Sequence, residues 1–150
     1  MKQAFPALLA LASLLGANSS GSRVLYVGGT VAGIQQKSGA RIELAQDDAL
    51  RFTASGATLR IPWKEINTLE YGMRVSRRYL EAVLISPLFL ASKRRTHYLT
   101  IGYTDDNGKQ QAMVLQVNKE EIRPLLVSLE ARTGLRVEFQ DEEARKAGKG

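Results

Sequence analysis

The sequence predicts a mainly β domain, a small antiparallel barrel capped by one amphipathic C-terminal helix. Three observations carry this expectation. Short runs of alternating apolar and polar residues, separated by turn formers, follow one another from Arg23. A strong hairpin signal spans His97 to Val117, and one apolar helical stripe follows it. At 150 residues one domain is expected. A chain of that size buries roughly 68–70% of its unfolded surface, enough for a core without staples. The absence of cysteine excludes a disulfide framework, and 44% hydrophobic with 24% charged residues excludes collagen-like and wholly disordered chains.

The first 21 residues read as a signal peptide: Lys2, an uncharged Ala/Leu-rich run from Ala7 to Leu15, then Gly16, Ala17, Ser19, Ser20 and Gly21. The run is too short to span a bilayer, which needs about 20 apolar residues. An N-terminal helix of the folded unit is the plainer alternative. The signal implies an exported protein, periplasmic or secreted, and without cysteine there is no lipoprotein attachment site.

From residue 22 the elements follow in order. Val24 to Val31 is β-branched and aromatic, with Gly28-Gly29 placed where a strand bends or bulges. Ile42 with Leu44, Leu50 with Phe52, and Leu59 with Ile61 each alternate, and Ser55-Gly56 marks a turn. Pro62 ends its strand. Trp63 is expected as a partly buried anchor rather than a ligand platform. Ile66, Leu69 and Tyr71 lead to Gly72. Leu99, Ile101 and Tyr103 alternate up to the Asp105-Asp106-Asn107-Gly108 turn, and Met113, Leu115 and Val117 alternate on the return. That alternation predicts one buried and one wet face for the hairpin. Ile122, Leu125, Leu126 and Leu129 form the helical stripe. Asn118 with Glu121 resembles a capping box, Pro124 moves the regular start toward Arg123, and Gly134 stops the helix. Leu135, Val137 and Phe139 suggest a last short strand. Residues 141–150 read as a charged tail, frayed or helical at the surface, without an apolar anchor.

Charge is distributed unevenly. The stretch from Arg74 to Arg95 carries Arg74, Arg77, Arg78, Lys93, Arg94 and Arg95 against Glu81 alone, a net of +5. The rest of the chain after residue 21 has as many acids as bases. Between the basic clusters, Tyr79 to Ser92 is nearly all apolar and includes Leu84, Ile85, Leu88 and Phe89. As a helix it would reach about 21 Å, short of the roughly 30 Å hydrocarbon core, and Pro87 breaks a straight helix. Three uses fit such a segment: a buried core piece with solvated flanks, a shallow contact with an anionic membrane, or a protein or subunit interface. The basic and apolar residues named here are therefore the candidate contact residues.

No catalytic motif is present, so no enzyme is expected. His97 is the only histidine and opens a strand, where a hydrogen-bonded role is commoner than that of a general base; a hydrolase using it is the remote alternative. Gly28 to Gly33 matches neither the dinucleotide fingerprint nor the P-loop. Asp47-Asp48 and Asp105-Asp106-Asn107 read as turns, and one histidine without cysteine makes no zinc site. No cofactor is expected. The pairing of Arg with Tyr at residues 77–79 and 94–98 would suit nucleic acid, which an exported protein seldom meets.

The order of elements, with Leu59 to Ile66, His97 to Ile101 and the helix through Leu129 to Gly134, resembles the pleckstrin-homology-like domains, including GRAM-type bacterial variants. The resemblance covers about Arg23 to Gly134 and implies a bent antiparallel sheet that nearly closes, with a C-terminal helix plugging one end. Many such domains bind anionic lipids or peptides. Their basic loop lies between the first two strands, which here offers only Lys37 and Arg41. The resemblance therefore implies a binding module, with the charge carried by residues 74–95 instead of by that loop.

Overall fold

A computed structural model describes residues 21–45, 48–76, 80 and 95–149 of the chain. The strands are β1 (Gly21–Gly29), β2 (Ser38–Glu43), β3 (Ala49–Ala54), β4 (Ala57–Pro62), β5 (Ile66–Gly72), β6 (His97–Thr104), β7 (Gln110–Val117) and β8 (Glu138–Phe139). A 3-10 turn at Trp63–Glu65 joins β4 to β5. Two helices follow β7: α1 (Lys119–Thr133) and, after β8, α2 (Glu142–Lys149). The strands form one sheet in the order β4-β3-β2-β1-β7-β6-β5-β8. Every pairing is antiparallel except β5 with β8.

The mainly β expectation holds, with two C-terminal helices instead of one. The sheet is not a closed barrel, since β4 and β5 do not pair. Pro62 removes a donor at the end of β4 and the 3-10 turn leads the chain away. Trp63 of that turn is buried in the core, as an anchor should be, and the Arg132 guanidinium lies 5.9 Å from its ring centroid.

Alternation puts one residue in two on the inner face. There Tyr26, Ile42, Phe52, Ile61, Leu69, Leu99, Ile101, Met113 and Leu115 meet the stripe Ile122, Leu125, Leu126 and Leu129 of α1 in a single cluster. The bulge expected at the glycine pair is present: the β1–β7 register shifts between Tyr26 and Gly28. Gly29 is a close approach, because a Cβ there would lie 2.5 Å from the Tyr26 hydroxyl and 2.6 Å from the Ala112 carbonyl.

The helix begins at Lys119 rather than near Arg123, and Pro124 lies inside it. Proline at that position forfeits one helical bond, that of the Glu120 carbonyl. Pro124 is exposed, so water can take the place of that donor. The expected capping box does not form: the Asn118 side chain makes no cap bond, and its carbonyl accepts the amides of Glu121 and Ile122, each at 3.0 Å. Gly134 stops the helix as expected, with φ +73 and its amide donated to the Glu130 carbonyl at 2.9 Å.

Residues 142–149 have the anchor that their composition hides. Ala144 and Gly148 are buried, and at Gly148 any Cβ would strike the Phe139 ring at 2.5 Å. Small side chains let the helix lie flat against Phe139 and Leu126, and smallness is invisible to a search for large apolar residues. Of the expected signal peptide, residues 1–20 lie outside the described residues, and its last residue, Gly21, opens β1, paired with Glu43.

Candidate functional site at the root of the β5–β6 connection

Gly72 pairs with Tyr98 in the β5–β6 ladder, so the connection of residues 73–96 leaves and returns side by side. Hairpin loops ordinarily take about 2–5 residues, so this one is a large insertion into a simple meander. Of the candidate contact residues, Arg74 and Arg95 are described and both are exposed. Arg95 Nη2 lies 3.2 Å from Glu143 Oε1 of α2. Arg77, Arg78, Leu84, Ile85, Leu88, Phe89, Lys93 and Arg94 lie outside the described residues, as does Asp47.

The departing arm settles on the outer face of the sheet. Val75 is buried there with Val27, Tyr98, Ala112 and Val114, and Leu80 packs against them. The Leu80 amide donates to the Ser76 carbonyl at 3.1 Å. The expectation of a wet outer face for the hairpin is thus corrected. Tyr98, Thr100, Gly102, Ala112 and Val114 are all buried, and Val114 is 0% exposed. The uninterrupted run Ala112-Met113-Val114-Leu115 was the available signal, since continuous apolar residues mark a strand covered on both faces. Glu70 was also missed and gave no signal. It is buried opposite Thr100 in the register and accepts a bond from Gln140 Nε2 at 3.1 Å.

Two clefts flank the roots. One, of about 460 Å³, is lined by Glu70, Arg74, Val75 and Phe139. The other, of about 410 Å³, is lined by Met73, Arg95, His97 and Lys119. His97 is buried and its Nδ1 is 2.6 Å from the Tyr71 hydroxyl. Burial pushes the Tyr71 phenol up to about 12, so it stays protonated and serves as the donor. Burial also lowers the His97 pKa, the Lys119 ammonium lowers it further, and Glu120 opposes both. The imidazole is thus hydrogen-bonded to a buried phenol.

Lys37, exposed, stands in a turn at φ +57, and Arg41 lies within β2 opposite Arg23. They do not form a basic loop. Asp105 holds the β6–β7 turn: its carboxylate accepts the Asn107 and Lys109 amides, each at 2.9 Å, and Gln111 Nε2 at 2.7 Å. Among the described residues no helix is long and apolar enough to cross a membrane, and no three acidic or histidine side chains are placed to hold a metal ion.

The class that fold and site define is a mainly β domain with a long, basic-flanked connection rooted at one end of its sheet. No protein-family profile matches the chain, and no curated protein matches it.

Proposed function

We propose that the chain is a non-enzymatic, exported binding module of the pleckstrin-homology-like type, docking peripherally on an anionic membrane through residues 74–95. The strand order supports that type: a seven-strand antiparallel meander, open between β4 and β5, with α1 packed on its inner face. The observation that carries the docking reading is the meeting of charge and geometry. All the net charge of the chain beyond residue 21 belongs to one connection, whose two roots, Arg74 and Arg95, emerge exposed at the same end of β5 and β6. Six cations near an anionic surface contribute about 1 kcal/mol each when they face it together.

The test is sedimentation of the protein with phosphatidylcholine vesicles, with and without phosphatidylglycerol. Binding is expected only with the anionic lipid. It should fall at least about tenfold in a Leu84→Asp/Phe89→Asp variant and in an Arg94→Glu/Arg95→Glu variant, consistent with the summed surface attraction. Thermal melts by circular dichroism establish that each variant is folded. Binding that persists in both folded variants overturns the reading. A dimer by light scattering that Leu84→Asp/Phe89→Asp dissolves, without vesicle binding, replaces membrane docking by a protein-binding adaptor using the same segment.

A further inference from the structure

The other end of the sheet carries a second surface. β8 closes the β5 edge, whereas β4 is the terminal strand on its side. The direction of its main-chain groups follows from the hairpin that makes it. Ser55 and Gly56 form a two-residue loop with φ +51 and +76, so Ala54 and Ala57 are the pair that exchanges hydrogen bonds next to the turn. The parity repeats at Phe52–Leu59 and Leu50–Ile61, and the Trp63 amide continues it by donating to the Asp48 carbonyl at 3.2 Å. The main-chain groups of Thr58 and Arg60 therefore point to the open side. Pro62, next in that row, offers only a carbonyl. Thr58 and Arg60 are both exposed, and no described strand pairs with this edge.

Beside this edge lies a cleft of about 280 Å³, walled by Val31, Leu59, Ile61 and Tyr103 and rimmed by Asp105 and Asp106. Arg60, which also borders it, is paired with the Asp48 carboxylate, and the Lys109 ammonium acts on Asp105, so three carboxylates face two cations and the mouth keeps a net negative charge. Asp105 stays ionised, since the Gln111 side chain and the Lys109 amide hold its carboxyl below the usual range. An unpaired strand edge, an apolar slot and two carboxylates at its mouth have one complement: an extended chain with a long cationic side chain, whose stem is apolar and whose tip is charged.

We propose that the β4 edge docks an extended segment of a partner polypeptide bearing a lysine or arginine. The segment pairs with Thr58 and Arg60, and its basic side chain enters the slot toward Asp105 and Asp106. No residue of this surface belongs to the connection of residues 73–96, so the proposal is independent of the membrane reading.

The experiment selects binders from a random decapeptide library displayed on phage against the full chain. Selected sequences are expected to carry a lysine or arginine among β-branched residues. Their synthetic forms should slow hydrogen exchange at the Thr58 and Arg60 amides. Asp106→Lys should weaken them by about tenfold or more, as reversal of a charge that meets its complement does. Thr58→Pro removes an edge donor and should abolish pairing; where it fails to fold, Asp106→Lys and the exchange measurement decide alone. An empty selection, equal binding to Asp106→Lys, or unchanged exchange at both amides overturns the proposal. So does a dimer of the chain whose formation protects the same two amides, which would make a second copy the occupant.

Discussion

The outer face of the sheet is two different surfaces built on one pleat. Across β2, β3 and β4 it carries Arg41, Arg51, Thr53, Thr58 and Arg60, half or fully exposed, with Glu43 3.7 Å from Arg51. Across β6 and β7 the equivalent positions hold Tyr98, Thr100, Ala112 and Val114, all buried. The inner face is continuous beneath both halves. What differs is the cover: the arm that leaves β5 lays Val75 on the second half, and no described residue does so for the first. Whether a strand is wet on one side thus depends on the cover that a connection elsewhere in the chain supplies as well as on the strand's own residues.

The largest effect that would break this contrast is a charge placed on each half. Val114→Asp puts a carboxylate among Val27, Val75, Tyr98 and Ala112 and should cost at least about 3 kcal/mol. Thr53→Asp, on the wet half and opposite Arg41, should stay within about 0.5 kcal/mol. Urea denaturation followed by circular dichroism measures both, and similar losses at the two positions would show that the halves are alike.

A smaller effect sharpens the contrast at the root of the connection. The folded-state pKa of His97 lies below its ordinary value, so the unfolded chain binds that proton more readily. The stability it contributes is present above about pH 6.5, its unfolded value, and is lost as pH falls toward the folded pKa. Urea midpoints at pH 7, 6 and 5 should decline for the native chain and decline less for His97→Gln. Equal slopes in the two proteins would remove His97 from the account.

The smallest effect concerns the ion pair of Arg95 with Glu143, whose side chains are 81% and 57% exposed. Arg95→Ala should change stability by less than about 1 kcal/mol. Vesicle binding should nevertheless weaken, because Arg95 stands at a root of the docking segment. A large loss of stability with unaltered binding would make the pair structural.

Much of this was legible in the residues. The strands around Ile42, Phe52, Ile61, Tyr71 and Ile101 fall where alternation put them, since a period of two leaves no choice of inner face. Gly134 and the turn at Asp105 were equally plain, each needing a particular backbone geometry. The failures share a cause, which is that their explanation lies far along the chain. Tyr98 and Thr100 look like the wet side of a hairpin until Val75 arrives above them. Ala144 and Gly148 look like filler until Phe139 needs a flat neighbour. The open seam beside β4 depends on how sharply Pro62 and Trp63 turn the chain, which spacing does not encode. Of the candidate contact residues, Arg74 and Arg95 alone fall within the described part, just beyond the last β5–β6 pair, Gly72 with Tyr98.

The last helix has a mechanical consequence. The Arg123 guanidinium of α1 donates to the Ala147 and Lys146 carbonyls at 2.8 and 3.4 Å, while Glu143 reaches Arg95. This short helix is thereby a brace strung between the capping helix and the returning arm. A fluorophore attached at exposed Lys146 would ride on that brace and register a displacement of the arm without altering a single strand.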